Sequence, residues 1–322
     1  MNNNKKLIVS PAPHWHDGSR ISIRNINIAA AALPALLVGI SIFGLPALRV
    51  LTLSVGSAML AELIINLATR SDISIDDGSA AISGLLLGML LPASVPWWLV
   101  VIGAFAAIII GKQVFGGIGS NPLNPTLIGF AIVMISWKGH MDFDEAFINY
   151  DPGFYMAYPL AAVKHFGAAA AAKYSLMDLF IGKQAGGIGA VCGLGLLIGG
   201  IYLILRGYIR WEIAVSFLVG IFITAFLFNI ANPEKYASPM FHLLTGNVMI
   251  GAFFLATDDT TSPVNFIPML IFGLSCGIMV VLIRCVGFYF DGVIFAILLM
   301  ELLNPLLDKI RPKAIGKVVE NA

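Results

Sequence analysis

The chain has 322 residues, 58% of them hydrophobic and only 11% charged, with a mean hydropathy of +0.90. A soluble domain is usually about one-quarter charged, so this composition excludes a water-soluble fold and points to an integral membrane protein. A formal net charge of +1, with no basic arm carrying interleaved aromatics, excludes nucleic acid as a partner.

A spanning helix needs ~20 mostly apolar residues. In chain order the candidates are residues 26–43, 47–69, 79–93, 96–112, 121–137, 188–205, 210–230, 239–256, 266–284 and 287–305. The expected fold is therefore all-α and integral to the membrane, with about ten transmembrane helices. Segments 79–93, 121–137 and 239–256 are short for a full span, the mark of re-entrant or broken helices that line a site. Residues 1–25 read as a polar segment with no cleavable signal, and residues 306–322 as a basic tail. Between them lie a first membrane half (26–137), a connection (138–187) and a second half (188–305).

Lys5, Lys6, Arg20 and Arg24 at one end, and Lys309, Arg311, Lys313 and Lys317 at the other, place both termini in the cytoplasm. Arg70, Lys112, Arg206 and Arg210 then read as inside-loop charges, Arg49, Lys235 and Arg284 as outside ones. The long 138–187 connection lies outside, and its alanine run, Ala168 to Ala172, reads as a short surface helix.

Two parts of the chain resemble each other. "DDGSAAISGLLLGMLLP" and "FGGIGSNPLNPTLIGFAIVM" in the first half echo "GGIGAVCGLGLLIGG" and "FHLLTGNVMIGAFFLATDD" in the second. Read as copies an odd five spans apart, they insert with opposite orientation. The expected plan is two inverted five-helix repeats, with the site near their interface.

Three places carry polar chemistry. In "FGGIGSNPLNP", Gly116, Gly117 and Gly119 free the backbone for turns, Pro122 and Pro125 suit a first helical turn, and Asn121 and Asn124 can cap a helix or bond a ligand. The alternative is a re-entrant turn that satisfies only its own backbone. In "ATDDTTSPVN", Asp258 and Asp259 follow an apolar helix, and Thr257, Thr260, Thr261 and Ser262 add hard oxygen ligands suited to a small cation. The alternative there is a polar loop past a helix end. Glu62, isolated inside the second span, marks either an ion path or a buried partner.

Elsewhere the chemistry is sparse. Cys192, Cys276 and Cys285 show no CxxC spacing and read as packing thiols, with a cluster shared with another subunit left open. The five histidines make no ligand pattern, so no metal site is expected, and "PAPHWH" (11–16) reads as an extended segment that lies on a partner. The glycine-dense "GGIGAVCGLG" (186–195) does not fit GxGxxG and follows no strand. Its GxxxG pairs, Gly189/Gly193 and Gly195/Gly199, suit close helix packing.

The stretches "LIVSPAPH", "DDGSAAISGLLLGMLLPASVPWW", "GKQVFGGIGSNPLNPTLIG", "SLMDLFIGKQAGGIGA", "FFLATDDTTSPVN" and "FDGVIFAILLMELLNPLLD" cover nearly the whole chain in order. They resemble the RnfD family of membrane proteins from Rnf-type ion-translocating electron-transport complexes. They are similar, more distantly, to the NqrB proteins of sodium-translocating NADH:quinone reductases. The resemblance implies one membrane subunit of a six-subunit type of machine in the cytoplasmic (inner) membrane. Such a machine passes electrons from reduced ferredoxin toward an acceptor, commonly NAD, through flavins and iron–sulfur clusters, and couples that flow to Na+ or H+ movement. Members usually carry FMN bound through its phosphate to a threonine in a Gly-Glu-Thr-Ser run. This chain has Gly189, Ala190, Val191 and Cys192 there, and Val191 has no hydroxyl. No covalent FMN is expected, and a noncovalent flavin (riboflavin or FMN) is left as the candidate group, with Gly116, Gly117, Gly119, Asn121 and Asn124 holding it or shaping a gate. The expected ion path uses Asp258, Asp259, Thr257 and Glu62. A channel or secondary transporter of the same plan, and a scaffold subunit without its own redox centre, are the competing readings.

Overall fold

Residues 20–70, 74–141, 143 and 157–310 are described by the structure, a computed structural model, and among them every regular element is a helix. α1 (Ile21–Phe43) and α2 (Leu45–Thr69) are joined by Gly44 alone. Its φ of 67° is one that glycine adopts freely and a side chain resists. α3 (Ser79–Leu90), α4 (Trp97–Ile109) and α5 (Pro125–Ser136) complete the first half. The connection carries α6 (Pro159–Phe166), a 3₁₀ turn over the alanine run (Ala168–Lys173), and α7 (Leu176–Ile181). The second half holds α8 (Gly193–Leu205), α9 (Trp211–Ala231), α10 (Pro239–Leu244) and α11 (Val248–Ile250). A π-helical turn (Gly251–Leu255), α12 (Phe266–Cys285) and α13 (Val293–Leu307) follow.

Among the described residues, five helices are long and apolar enough to cross a membrane: Ile21–Phe43, Leu45–Thr69, Trp97–Phe115 (α4 with the turn that continues it), Trp211–Ala231 and Phe266–Cys285. Each of the ten expected segments contains a helix, but the bounds differ. α1 begins at Ile21, inside the segment read as 1–25, and α8 begins five residues after residue 188, behind the glycine loop. α3, α5, α8 and α13 have 12 to 15 residues, roughly 18–23 Å of helix against ~30 Å of hydrocarbon. Segment 239–256 is interrupted at Thr245–Asn247, where Gly246 takes a φ of 68°. The "PAPHWH" segment, Lys5, Lys6, Arg311, Lys313 and Lys317 lie outside the described residues.

Small residues set the closest helix contacts, as expected where lipid supplies no hydrophobic drive between helices. α1 packs on α8 across Gly195 and Gly199, and a Cβ on Gly195 would sit 2.7 Å from the Ala35 backbone nitrogen. Only this second GxxxG pair works between helices, because Gly189 precedes α8. α2 packs on α3 through Gly84, whose carbonyl accepts the Ser54 hydroxyl at 2.7 Å. α9 and α12 cross at Gly220 and Gly277. The stretches that suggested a repeat fall on α3 and the entry to α8, and on α5 and α10–α11. Those pairs are three apolar segments apart, not five. The helix contacts give another correspondence: α2 packs on α4 as α9 packs on α12, and α4 packs on α5 as α12 packs on α13.

Two charges expected in loops are buried instead. Lys112 follows α4 at 3% exposure, and Arg284 lies in the last turn of α12 at 4%. Both are enclosed because each has a carboxylate partner inside the protein, Glu62 and Asp291 respectively.

Candidate functional site

The two polar turns singled out in the sequence meet. Asn124 caps α5, its side chain accepting the Thr126 N–H at 3.0 Å with Pro125 as first helical residue. Its Nδ2 donates to the Leu255 carbonyl at 3.3 Å, at the end of the π turn. Asn121 Nδ2 donates to the Thr260 hydroxyl oxygen at 3.0 Å. Thr260 in turn donates to Asp258 Oδ2 at 2.6 Å. A residue that sequence reasoning missed closes the junction. Glu301 of α13, 1% exposed, accepts the Asn124 backbone N–H (2.9 Å) and the Thr261 hydroxyl (2.8 Å).

A cavity of about 110 Å³ opens at this junction. Asn121, Asn124, Thr126, Thr257 and Asp258 line it, with Lys112 and Arg24 as cations and Phe253 and Phe254 as apolar wall. Most of the remaining lining is apolar, and among the described residues Asp258 is the one carboxylate on it, set among hydroxyl and amide groups. Asp258 is half-buried, and burial raises its carboxyl above the usual range against the opposing pull of Thr260 and Arg24. Asp259 points away from the cavity to an ion pair with Arg24 at 2.8 Å, with its side chain 55% exposed. Such an exposed pair adds little stability. Gly116, Gly117 and Gly119 all take positive φ (103°, 98° and 85°), as their turn requires, but none of them lines the cavity, whereas Ile118 between them does.

Glu62 has a buried partner. Lys112 Nζ lies 2.5 Å from its Oε1 and 2.5 Å from Ser79 Oγ, and Ser74 donates to the same Oε1 at 2.7 Å. Lys112 thus stands between Glu62 and the cavity, while Glu62 Oε2 is buried without a hydrogen-bond partner.

The glycine loop closes the end of α3. Gly189 N–H donates to the Met89 carbonyl (2.9 Å) and Ile188 N–H to Leu91 (3.1 Å), supplying partners to carbonyls that a helix end leaves open. A Cβ on Gly187 would come within 2.6 Å of the Leu90 carbonyl oxygen, so glycine is needed for that approach. Val191 is 2% exposed, and Gln184, also missed in the sequence, sets its Nε2 within 3.1 Å of the Leu179, Val191 and Leu244 carbonyls. Nothing at Val191 offers a hydroxyl for a phosphoester.

A second, larger cavity of about 460 Å³ lies at the other end of α5, lined by Phe130, Met134, Tyr158, Asn247, Phe290 and Phe295. Thr126 faces the first cavity and Met134 the second, about 12 Å apart along the helix. Beside it, Asp291 Oδ2 accepts the Asn247 N–H at 2.7 Å, and Arg284 reaches Asp291 and the His242 and Thr245 carbonyls. Among the described residues no group of three or more His, Cys, Asp or Glu is placed to hold a metal ion.

Residues 8–316 match the model of the NQR2, RnfD, RnfE family. The D subunit of the Na(+)-translocating ferredoxin:NAD(+) oxidoreductase complex of Acetobacterium woodii is 38% identical over 320 residues, covering 99% of this chain and 98% of that protein. The D subunit of the ion-translocating oxidoreductase complex of Pectobacterium carotovorum is 35% identical, covering 96% of this chain and 98% of its own. The D subunit of the proton-translocating ferredoxin:NAD(+) oxidoreductase complex of Clostridium ljungdahlii is 35% identical, covering 94% and 93%.

Proposed function

The chain belongs to the NQR2, RnfD, RnfE family, and from that premise we propose that it is a membrane subunit of a ferredoxin-oxidising electron-transport complex that couples redox to Na+ or H+ translocation. It is a translocase subunit that completes no reaction alone. Its partners are the other subunits of the complex, with ferredoxin reached through them. One relation supports the reading most: the turns at 116–125 and 256–265, one from each half, are bonded to each other around the Asp258 cavity.

In this reading the chain forms about ten helices in two inverted five-helix halves of the cytoplasmic (inner) membrane, with both termini cytoplasmic. The matching contacts α2–α4 and α9–α12 support it, as does the α1–α8 contact between halves. The ion passes the cavity, where Asp258 holds the cation or proton and Thr257 offers an adjacent oxygen. Asp259 stands at the mouth, tied to Arg24. Glu62 acts on the path through Lys112, whose charge it holds in place.

A noncovalent flavin, riboflavin or FMN, does not suit the cavity at the turns. Its 110 Å³ is well below the ~300–1,000 Å³ of small-molecule sites, and the Asn121 and Asn124 amides are engaged within the turns. The aromatic cavity suits it better, with Phe130, Tyr158, Phe290 and Phe295 for a planar ring and Asn247 for its polar edge. A flavin there would supply one-electron transfer. The scaffold reading stands second and is favoured by Val191 alone.

Reconstituted complex decides. With reduced ferredoxin and NAD+, proteoliposomes take up Na+ or H+, and Asp258→Asn lowers uptake without loss of assembly. Normal uptake in an assembled variant removes Asp258 from the path. Transport by the isolated subunit without an electron donor would replace this reading with the channel.

A further inference from the structure

Next to the aromatic cavity, sharing His165 and Phe290 with it, lies a separate pocket of about 250 Å³ bounded by α6, the end of α12 and the turn into α10. Its walls carry Lys164, Lys235, Arg284 and His242, and among the described residues no carboxylate lines it. Arg284 is neutralised by Asp291. The two lysines are not: the described ion pairs include neither. Lys164 Nζ rests on the carbonyls of Gly287 (2.7 Å) and Tyr289 (2.6 Å), while Lys235 is exposed with its ammonium 5.2 Å above the Tyr236 ring. Burial lowers the Lys164 pKa, and the charge of Lys138 adds to that.

His242 gives an independent sign. It is 4% exposed, lines the pocket, and its Nδ1 has no hydrogen-bond partner. A buried ring nitrogen left open costs free energy unless something occupies the space before it. The rim supplies the rest. Phe166, Val286 and Phe288 are 77%, 73% and 74% exposed, and the outer face of α9 shows Phe226 and Ile230. In a membrane chain these side chains meet acyl chains, and uncompensated cations beneath them sit at headgroup depth.

We propose that this pocket binds the phosphate of an anionic glycerophospholipid, with Lys164 and Lys235 neutralising the charge, His242 completing the polar contacts and the acyl chains lying over Phe166, Val286 and Phe288. A free phosphate would satisfy the lysines but gain nothing from the apolar rim. The proposal needs the chain to span a membrane and does not depend on its redox role.

The test is the lipid retained by the complex purified in mild detergent, identified by mass spectrometry of extracted lipid and of the intact assembly. Wild type keeps an anionic phospholipid, and added inorganic phosphate leaves it in place. Lys235→Gln, at an exposed position that does not threaten folding, lowers retention about fivefold, as expected for one lysine near a lipid surface. Lys183→Gln, whose lysine already pairs with Asp178, changes nothing. Equal retention in Lys235→Gln, absence of anionic lipid from wild type, or displacement of it by inorganic phosphate each overturns the proposal.

Discussion

Glu301 accepts the backbone N–H of Asn124 at 2.9 Å, across 177 residues of chain. Its other oxygen takes the Thr261 hydroxyl, so one carboxylate joins the start of α5 to the 256–265 turn. Asp291, ahead of the same helix α13, does the same for the other break by accepting the Asn247 N–H. The middle of α13 thus fastens the start of α5, and the turn ahead of α13 fastens the break at residues 245–247. Buried N–H groups at a chain break need such acceptors, because a buried donor left unpaired costs free energy.

Glu301→Ala leaves the Asn124 N–H unsatisfied and should destabilise the subunit by about 1–3 kcal/mol. Glu301→Gln keeps an acceptor for that N–H. It should melt close to wild type in detergent. Equal melting of the Ala variant and wild type would show that the contact does not hold the turn.

The Glu62–Lys112 pair is buried on both sides, at 0% and 4% side-chain exposure. Removing one partner strands the other charge, a loss of about 3–5 kcal/mol, whereas replacing both together is often tolerated. Glu62→Gln and Lys112→Met should each reduce the amount of assembled subunit, and the double variant should recover much of it. Additive losses in that double-mutant cycle would mean the two residues act independently.

Glu301 carries the same signal as Glu62, an acid inside an apolar run, and that signal could have found it although the sequence reading passed it over. Its partners were not legible, because a single sequence does not show which of two distant turns a carboxylate reaches. Lys112 and Arg284 fall where hydropathy fades, so they look like loop charges until their carboxylates are placed. The polar turns at 116–125 and 256–265 were legible from residue type. That Ile118 and not Gly116, Gly117 or Gly119 faces the cavity was not, since a positive φ says nothing about which side of the turn faces it.

Gly199 and Gly56 make opposite predictions. Gly199 faces the Ala31 carbonyl of α1 so closely that a Cβ cannot fit, whereas a Cβ on Gly56 of α2 would meet nothing within 4 Å. Gly199→Ala should push α8 off α1 at about 1–3 kcal/mol. Gly56→Ala should stabilise by about 0.5–1 kcal/mol, the ordinary helix preference for alanine. Thermal melts of both variants check the pair, and a stable Gly199→Ala protein would contradict the α1–α8 contact.

Asp258 has its carboxyl pKa raised by burial. A folded pKa above the unfolded one means the folded state holds its proton longer. The associated stability is present below the ordinary carboxylate range and is lost as pH rises through the raised value. Wild type should therefore lose thermal stability as pH climbs through that window, and Asp258→Asn should lack this part of the slope. Parallel melting curves for the two proteins would remove Asp258 as the source.

Val191 bears on the redox group. It is buried in a loop held by Gln184 and by the end of α3, and its side chain offers carbon only. Ala190 and Cys192 do not replace the missing hydroxyl: Ala190 has none, and the Cys192 sulfur accepts the Gly195 N–H at the start of α8. The 186–200 peptide should therefore appear at its unmodified mass, and the denatured subunit should show no in-gel flavin fluorescence. Any flavin of this subunit should leave on denaturation and appear in the supernatant. A flavin mass on that peptide would establish covalent attachment and return the electron route to this loop.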